Sequence, residues 1–312
     1  MDLTNYGVFL FTEGIPAAEL VRTVKQIEQL GYGAVWYPEA IGRESFSTAA
    51  LILTHTEKLI VATGIISVYD RDPLIAAMGQ QTLNELSGGR FLLGLGVSHS
   101  AFVEPRGHVY GAPVAIMRNY VASLRQCHTH ISVARNLALE GDSPQTVERG
   151  TQGAITTELG EMPIVLGALG PRMNALAAEI AQGSHPYNTT PMHTRRTRDI
   201  LGPDAWLCPM QRVCLTTDAT RARALGRRIL GIYLTLANYR NALLTCGYTE
   251  QDFEDGGSDA LIDQLLGWGD EQRIREHVQA HLDAGASHVC VQAINPEDPQ
   301  RPCLRALNVI KE

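Results

Sequence analysis

The residues Arg90 to Ser100, R-F-L-L-G-L-G-V-S-H-S, change from apolar to polar within a short distance. The apolar run at 91–95 is typical of a strand that is buried on both faces of a parallel sheet. Gly94 and Gly96 mark places where the backbone comes close to another group. Ligands of parallel α/β folds bind just beyond the carboxyl ends of strands. The stretch therefore predicts a strand that leads into a ligand site, although a core strand followed by an ordinary surface loop fits it equally well.

Length and composition limit the classes of protein to consider. The chain has 312 residues, 45% hydrophobic and 19% charged, enough for one barrel-sized domain or two ordinary domains. Its net charge is −7, with no acidic or basic block, so we expect no nucleic acid and no membrane as partners. No apolar run approaches the roughly 18–20 residues that span a bilayer, and Met1 to Thr4 do not begin a signal peptide.

Cysteines and histidines give no sign of a metal site. The six cysteines are scattered without a C-x-x-C pair, which favours reduced thiols in a cytoplasmic protein. The histidines contain no H-E-x-x-H. Cys127, His128 and His130 lie close together, and we interpret them as a solvated helix end rather than a zinc site.

Apolar runs and helical periodicities alternate along the chain. Strands are predicted at 6–11, 34–37, 59–66, 91–95, 163–166, 183–187, 210–216 and 288–294. Helices are predicted at 16–30, 46–55, 73–86, 113–126, 173–181, 191–201, 218–244, 271–284 and 300–310. This order, without hairpin signals, predicts a parallel sheet. Eight strands and this length fit a single (β/α)8 TIM barrel over 1–312. The alternative, an open doubly wound sheet, lacks a G-x-G-x-x-G in the first turn.

Two segments do not fit this alternation. Residues 127–162, between the fourth helix and the fifth strand, are interpreted as an insertion, with a hairpin over His130–Leu139 and then a loop. Residues 249–268 are interpreted as an acidic, glycine-containing excursion.

Two glycine motifs follow predicted strands. The turn G-A-L-G-P-R, Gly167 to Arg172, opens a helix, where free N–H groups bind phosphate and Arg172 adds charge. A plain turn is the alternative. In A-T-G-I-I at 62–66, Gly64 permits a bulge or a cis peptide that could brace a flat ring.

Polar residues gather beyond several strand ends. Together they predict a polar-rimmed pocket at one mouth of the barrel, whereas each alone fits a solvated surface group. His99 is the best candidate for acid–base work, because histidine exchanges protons near neutral pH. The set comprises Glu39, Arg43, His99, Glu104, Arg106, His108, Tyr110, His185 and Tyr187.

Longer motifs resemble a known family. L-S-G-G-R-F-L-L-G-L-G-V-S-H at 86–99, V-E-P-R-G-H-V-Y-G at 103–111 and I-V-L-G-A-L-G-P-R-M at 164–173 resemble the bacterial luciferase-like flavin oxidoreductases. Within this superfamily, the match is to a subgroup described as dependent on the deazaflavin coenzyme F420. The resemblance covers nearly the whole chain. It implies an enzyme that binds flavin or deazaflavin at the carboxyl ends of barrel strands, and that pairs as a homodimer.

The resemblance also implies which residues hold the cofactor. A non-proline cis peptide after strand three, on which the back of the ring rests, falls on Gly64–Ile65. The backbone after strand four lies near the cofactor, and the turn after strand five holds its phosphate. The corresponding positions are Gly96, Val97, Ser98, His99, Gly167, Ala168, Leu169 and Gly170.

Some positions depart from the family pattern. Deazaflavin-dependent sugar-phosphate dehydrogenases of the superfamily carry an Asp-His pair after strand two and a Glu after strand four. Here these places hold Glu39, Ala40 and His99. The basic residues that bind the sugar phosphate have no clear match, so we do not expect that substrate.

Three functional hypotheses remain at this point. The first is an oxidoreductase that moves a hydride between coenzyme F420 and a small organic substrate. In it, His99 is a proton donor or ring contact, and Glu39 and His108 line the substrate side. The second is a luciferase-like monooxygenase that uses reduced FMN and dioxygen. The third is a flavin-binding protein without turnover.

Overall fold

The computed structural model of the chain describes residues 1–139 and 162–312, with only the backbone described for 132–139. Every pairing between its strands is parallel. The strands are β1 (Tyr6–Phe9), β2 (Ala34–Tyr37), β3 (Ile60–Thr63), β4 (Ile66–Ser67), β5 (Phe91–Gly96), β6 (Ile164–Leu166), β7 (Gly183–Ser184), β8 (Trp206–Leu207), β9 (Met210–Leu215), β10 (Leu266–Gly269) and β11 (Val289–Ala293).

Helices connect the strands. Their bounds are α1 (Ala17–Gln29), α2 (Ser45–Leu53), α3 (Pro73–Ser87), α4 (Ser100–Val103), α5 (Pro113–Leu139), α6 (Pro171–Ile180), α7 (Pro191–Leu201), α8 (Ala219–Thr235), α9 (Ala237–Thr245), α10 (Asp259–Leu265), α11 (Glu271–Asp283) and α12 (Leu304–Lys311). In the part of the chain that the structure describes, no helix is both long and apolar enough to cross a bilayer.

Local sequence explains where the helices begin and end. Asp72 accepts a hydrogen bond from the Leu74 amide ahead of Pro73, and Asp218 caps α8 in the same way. Gly88 ends α3 with a φ of 65°, a left-handed conformation that glycine adopts without a Cβ clash.

The strands form one curled parallel sheet that buries side chains on both faces. Its order is β10-β9-β11-β1-β2-β3-β5-β6-β7-β8, with β4 beside β5. Because side chains alternate along a strand, one set faces the interior of the curl, and it includes Phe9, Trp36, Leu92, Val165 and Met210. The other set packs against the helices and forms the larger core.

The eight predicted strands are confirmed, and the strand expected at 59–66 is interrupted into β3 and β4. The predicted hairpin at His130–Leu139 is wrong, because α5 continues to Leu139 and includes the first part of the expected insertion. Residues 140–161, the rest of that insertion, lie outside the described part of the chain. The expected helix over 218–244 is divided at Leu236, whose extended backbone (φ −83°, ψ 125°) separates α8 from α9.

The excursion expected at 249–268 contains regular structure. It holds α10, and Leu266–Gly269 forms the edge strand β10 beside β9. The short run L-G-W-G gave no strand signal because two of its four residues are glycine.

Four histidines are buried in the described part of the chain, and burial lowers the pKa values of three of them most strongly. His281 bonds Thr194 Oγ1 and Gln211 Oε1, each at 2.8 Å, and burial lowers its pKa to about 3. Burial also lowers the pKa of His185 and of His288 to about 4 in each case. At mildly acidic pH these side chains are neutral in the folded protein and charged in the unfolded chain.

We expect the free energy of unfolding to fall as the pH is lowered from 6.5 to 5. The unfolded chain then binds more protons than the folded protein, so acid favours unfolding, at a cost of roughly 1–2 kcal/mol for each buried histidine at pH 5. Urea titrations across this range measure the effect. His281→Gln should reduce the slope by up to one proton, whereas His55→Gln at the exposed end of α2 should leave it unchanged. A pH-independent stability of the wild type would contradict this expectation.

Candidate active site

The interruption between β3 and β4 is a non-proline cis peptide that joins Gly64 and Ile65, at the predicted position. The Gly64 amide donates to the Tyr37 carbonyl at 2.7 Å, and the Ile65 carbonyl accepts from the Glu39 amide at 3.1 Å. A Cβ on Gly64 would lie 2.9 Å from both His185 Nε2 and the Phe9 ring. This position therefore has no room for a side chain.

Ile65 packs across glycines of the two neighbouring strands. A Cβ on Gly96 would overlap Ile65 Cδ1, and a Cβ on Gly167 would lie 3.3 Å from Ile65 Cγ2. A Cβ on Gly94 would overlap the Thr63 carbonyl oxygen and would also lie 3.3 Å from Ile65 Cγ2. The backbones that end β3, β5 and β6 thus meet around one side chain, and Gly64, Gly96 and Gly167 belong to one place in the fold.

The turn after β6 is open where a phosphate would approach. Gly170 caps α6 ahead of Pro171, and no protein atom lies within 4 Å of the position of a Cβ on Gly170. Over the described ranges, the amides of Ala168, Leu169 and Gly170 have no hydrogen-bond acceptor. Arg172 is exposed on the first turn of α6. Three free donors at a helix start match the chemistry of a phosphate site.

A buried histidine braces the same turn. The Nε2 of His193 bonds the Leu169 carbonyl at 2.8 Å, and Asn174 Nδ2 donates to the Gly170 carbonyl at 3.2 Å. These bonds fix the carbonyl groups of Leu169 and Gly170 on the side of the turn that faces the protein. The amides of the two residues remain free for a ligand.

The loop after β5 positions His99. Ser98 adopts a left-handed conformation (φ 55°), and the Tyr110 hydroxyl donates to its carbonyl at 3.2 Å. The half-buried His99 ring contacts the rings of Phe102 and Tyr239, with centroids 5.7 and 5.8 Å away. Burial lowers the pKa of His99 from its usual value. The imidazole is therefore mostly neutral near pH 7 and able to exchange a proton.

The other two predicted catalytic side chains are placed differently. Both oxygens of Glu39 pair with the Arg71 guanidinium at 2.5 and 2.7 Å, and the two side chains are only 9% and 10% exposed. Arg71 also bonds Glu44 at 2.5 Å. His108 is exposed, with its ring 5.9 Å from that of Tyr69. Glu39 is thus held in a bidentate ion pair, and His108 lies at the surface.

Most buried side-chain polar atoms that lack a hydrogen-bond partner gather near the carboxyl ends of four strands. Such atoms are rare in folded proteins, and a group of them indicates a site built for something else. These strands, β7, β9, β11 and β1, follow one another in the curled sheet once β8 and β9 are taken as parts of one stretch. The atoms are Glu13 Oε1 and Oε2, Ser184 Oγ, His185 Nε2, Asn188 Nδ2, Thr189 Oγ1, Arg212 Nε and Gln292 Oε1.

Reasoning from sequence missed Glu13, Asn188, Arg212 and Gln292. Two signals were available for them. The segment T-E-G-I-P follows β1 at the rim, and the strand M-Q-R-V-C-L carries a charged residue in an apolar run. His185, which was predicted, has a packing role: its Nδ1 donates to the Cys208 carbonyl at 2.7 Å, and its ring stacks on Trp36 at 4.7 Å.

This chain belongs to the luciferase-like monooxygenase family, whose model matches residues 4–288. It is therefore an enzyme of the luciferase-like oxidoreductases. It is 29% identical, over 90% of its length and 91% of the relative's, to a protein of Mycobacterium tuberculosis that is provisionally named coenzyme F420-dependent oxidoreductase.

Solved structures have the same fold. The coenzyme F420-dependent tetrahydromethanopterin reductase of Methanopyrus kandleri matches with a TM-score of 0.72 at 18% identity, over 100% of this chain and 98% of that one. The oxygenating constituent of 3,6-diketocamphane monooxygenase from Pseudomonas putida, in complex with FMN, matches with a TM-score of 0.69 at 13% identity, over 100% and 98%. At such identities the likeness concerns the fold alone.

We expect Gly96→Ala to destabilise the protein by about 1–3 kcal/mol, because the new methyl group overlaps Ile65. Ile65→Ala in the same chain should restore much of the loss by removing the overlapping atoms. Urea denaturation of the single and double variants gives the coupling energy.

Gly94→Ala provides the matched control. Its methyl group overlaps the Thr63 carbonyl, which cannot move aside as a side chain can. The Ile65 side chain is the farther neighbour of this methyl group, so Ile65→Ala should leave most of the Gly94→Ala defect in place. Equal rescue of both glycine variants would show that Ile65 does not fill the space beside Gly96.

Proposed function

We propose that this protein is a single-domain (β/α)8 barrel enzyme that transfers a hydride between coenzyme F420 and a small organic substrate. The observation that carries the proposal is the meeting of Gly64–Ile65, Gly96 and Gly167 at one rim, next to a helix start with three free amides. The name of the M. tuberculosis relative points to the same cofactor.

Closure of the barrel is supported by the stretch 206–215, which bonds to β7 through β8 and to β11 through β9. On one side, the Cys208 amide donates to the Ser184 carbonyl at 2.9 Å. On the other side, the Cys290 amide donates to the Pro209 carbonyl at 2.9 Å. We further propose a homodimer that works in the cytoplasm, the latter in keeping with the free cysteines of the described ranges.

The residues present fit a phosphorylated, flat cofactor. The side chain of Ile65 fills the space beside Gly96 and Gly167 and so fixes the cis peptide as a support for a ring, and the open turn at Gly170 supplies N–H donors for a phosphate. Arg172 adds a positive charge at the same helix start. Gly64, Ile65, Gly96, Val97, Ser98, His99, Gly167, Ala168, Leu169, Gly170 and Arg172 would hold the cofactor.

The protein's own contribution is position and proton transfer. When bound, the deazaflavin supplies the hydride chemistry. His99 lies at the end of β5, half-buried, with a lowered pKa. We assign it the proton that the substrate gains or loses. The Arg71–Glu39 pair holds the loop after β2 in place, since Glu39 also accepts from the Ser45 amide at 3.4 Å.

Oxygenation with reduced FMN is the second candidate. The P. putida structure, which contains FMN, has the same fold. Backbone amides and glycines contact a ring or a phosphate in the same way whichever atom occupies the central ring of the cofactor. The proposed site at Gly64–Ile65, Gly96 and Gly167 therefore suits both cofactors. Binding measurements therefore decide between the two.

We expect the purified protein to bind coenzyme F420 more tightly than FMN in titrations followed by absorbance and fluorescence, as the name of the M. tuberculosis relative suggests. Gly170→Ala should fold normally, since its methyl group meets no protein atom, yet should weaken F420 binding by about five- to tenfold because it occupies the phosphate approach.

Gly231→Ala is the control for that variant, because a Cβ there also meets no protein atom but lies on α8, within a helix. It should leave cofactor affinity unchanged. Tight binding of FMN with none of F420 would overturn the first function in favour of the second. Saturable F420 binding without turnover in a broad substrate screen would favour a binding protein.

We expect His99→Gln to lower the turnover number at saturating cofactor by about 10²-fold or more, as loss of a general acid does. In the direction of substrate reduction, the wild-type rate should fall as the pH rises through the pKa of His99, below its usual value. The variant should lose this pH dependence, and His55→Gln should keep it. A variant that binds the cofactor and turns over at the full rate would remove His99 from this role.

A further inference from the structure

Arg212 is a charged side chain in the interior of the curled sheet. Cys208 and Met210 face the interior, and alternation along β9 places Arg212 on the same face, one step closer to the carboxyl end. It is only 1% exposed. Isolated charges are costly to bury, so a buried guanidinium requires partners or a function.

The partners of Arg212 are neutral. Its two terminal nitrogens donate to Asn188 Oδ1 and to the Tyr187 hydroxyl, the latter at 2.6 Å. Its guanidinium carbon lies 5.0 Å from the ring centroid of Tyr187 and 5.7 Å from that of Tyr233. Within residues 1–139 and 162–312, no carboxylate forms an ion pair with it.

Donors remain free beside this charge. Arg212 Nε and Asn188 Nδ2 are buried and have no acceptor. A guanidinium has five N–H donors, and the side that carries Nε–H matches the two oxygens of a carboxylate. Two free donor groups and the positive charge of Arg212, which has no ion-pair partner in the described residues, are what a planar anion with one negative charge requires for binding.

The same charge lies next to the proposed ring seat. Tyr187, which bonds Arg212, contacts the Phe9 ring at 5.3 Å, and the Phe9 ring borders Gly64. Tyr187 and Tyr233 both contact Tyr239, which contacts His99. A chain of side-chain contacts therefore links Arg212 to the cis peptide on one side and to the proposed proton donor on the other.

We propose that Arg212, with Asn188, binds the carboxylate of the substrate, so that the substrate class is a small organic acid. This inference rests on the proposed function, because it assigns the substrate of that same site. A phosphate dianion suits the position less well, since a single buried arginine would leave half of its charge uncompensated.

The test measures binding of matched neutral and anionic probes. Isothermal titration of the cofactor-loaded protein with acetate, butyrate and benzoate, each against its amide, and with inorganic phosphate, gives the preference for a carboxylate. At least one carboxylate should bind about tenfold more tightly than its amide, and phosphate should bind more weakly than that carboxylate. Arg212→Met should abolish the preference for the carboxylate over its amide.

Asn188→Asp covers the case in which Arg212→Met fails to fold. It places a carboxylate against the guanidinium at nearly unchanged size, and aspartate tolerates the left-handed backbone of this residue (φ 55°). We expect this variant to melt at a higher temperature than the wild type and to lose carboxylate binding. Arg228→Met, an exposed arginine on α8, controls for the loss of a positive charge and should bind the probes as the wild type does.

The inference is overturned if no carboxylate binds, if acid and amide bind alike, if phosphate is preferred, or if Asn188→Asp still binds carboxylates. Its failure can be told apart from failure of the proposed function. Cofactor titration of the same wild-type sample tests the latter, and the probe titrations can be read on the cofactor-free protein if no cofactor binds.

Discussion

The contact of Ile65 with the glycines of β5 and β6 is the constraint on which the proposed site depends. Three strand ends approach one another so closely that a Cβ on Gly94 or Gly96 would overlap its neighbours. The side chain of Ile65 fills the space beside these glycines and so holds the cis peptide backbone in place at the rim. Backbone that is held in place in this way is a suitable support for a flat ring, because a change of side-chain rotamer cannot alter its surface.

The two halves of the rim differ in chemistry. Around β3, β5 and β6, the site consists of glycines, a cis peptide and unpaired amides. Around β7, β9, β11 and β1, it consists of buried side chains with unpaired polar atoms, Arg212 and Glu13 among them. In our account the first half serves the part of the reaction common to the family, namely the cofactor. The second half serves what distinguishes this protein, its substrate.

The sequence predicted the framework of the fold better than its details. Eight strands were recognised because buried parallel strands are short apolar runs bounded by glycine and capping residues, as in F-L-L-G-L before Gly96. The end of α5 was misjudged because H-T-H-I-S-V alternates and contains β-branched residues, while the helix that precedes it continues unbroken. The local pattern there favours a strand, but the residues continue the preceding helix.

For the site, the sequence predicted features that depend on backbone geometry and failed for features that depend on which side chains pair with each other. The glycine turn follows from its glycines, whereas Gly64 alone allowed either a bulge or a cis peptide and the family resemblance placed the cis peptide on Gly64–Ile65, where it lies. Glu39 looked available for chemistry, because its partner Arg71 is remote in sequence. Arg212 looked like an ordinary strand residue, because periodicity does not reveal that its neighbours lack a carboxylate.

The central claim is that one rim seats a flat, phosphorylated redox cofactor, and a crystal structure of the protein grown with coenzyme F420 tests it most directly. We predict electron density for the ring against Gly64–Ile65 and for the phosphate at the amides of 168–170. Density for the ring elsewhere on the molecule, with this rim empty at saturating cofactor, would contradict the account.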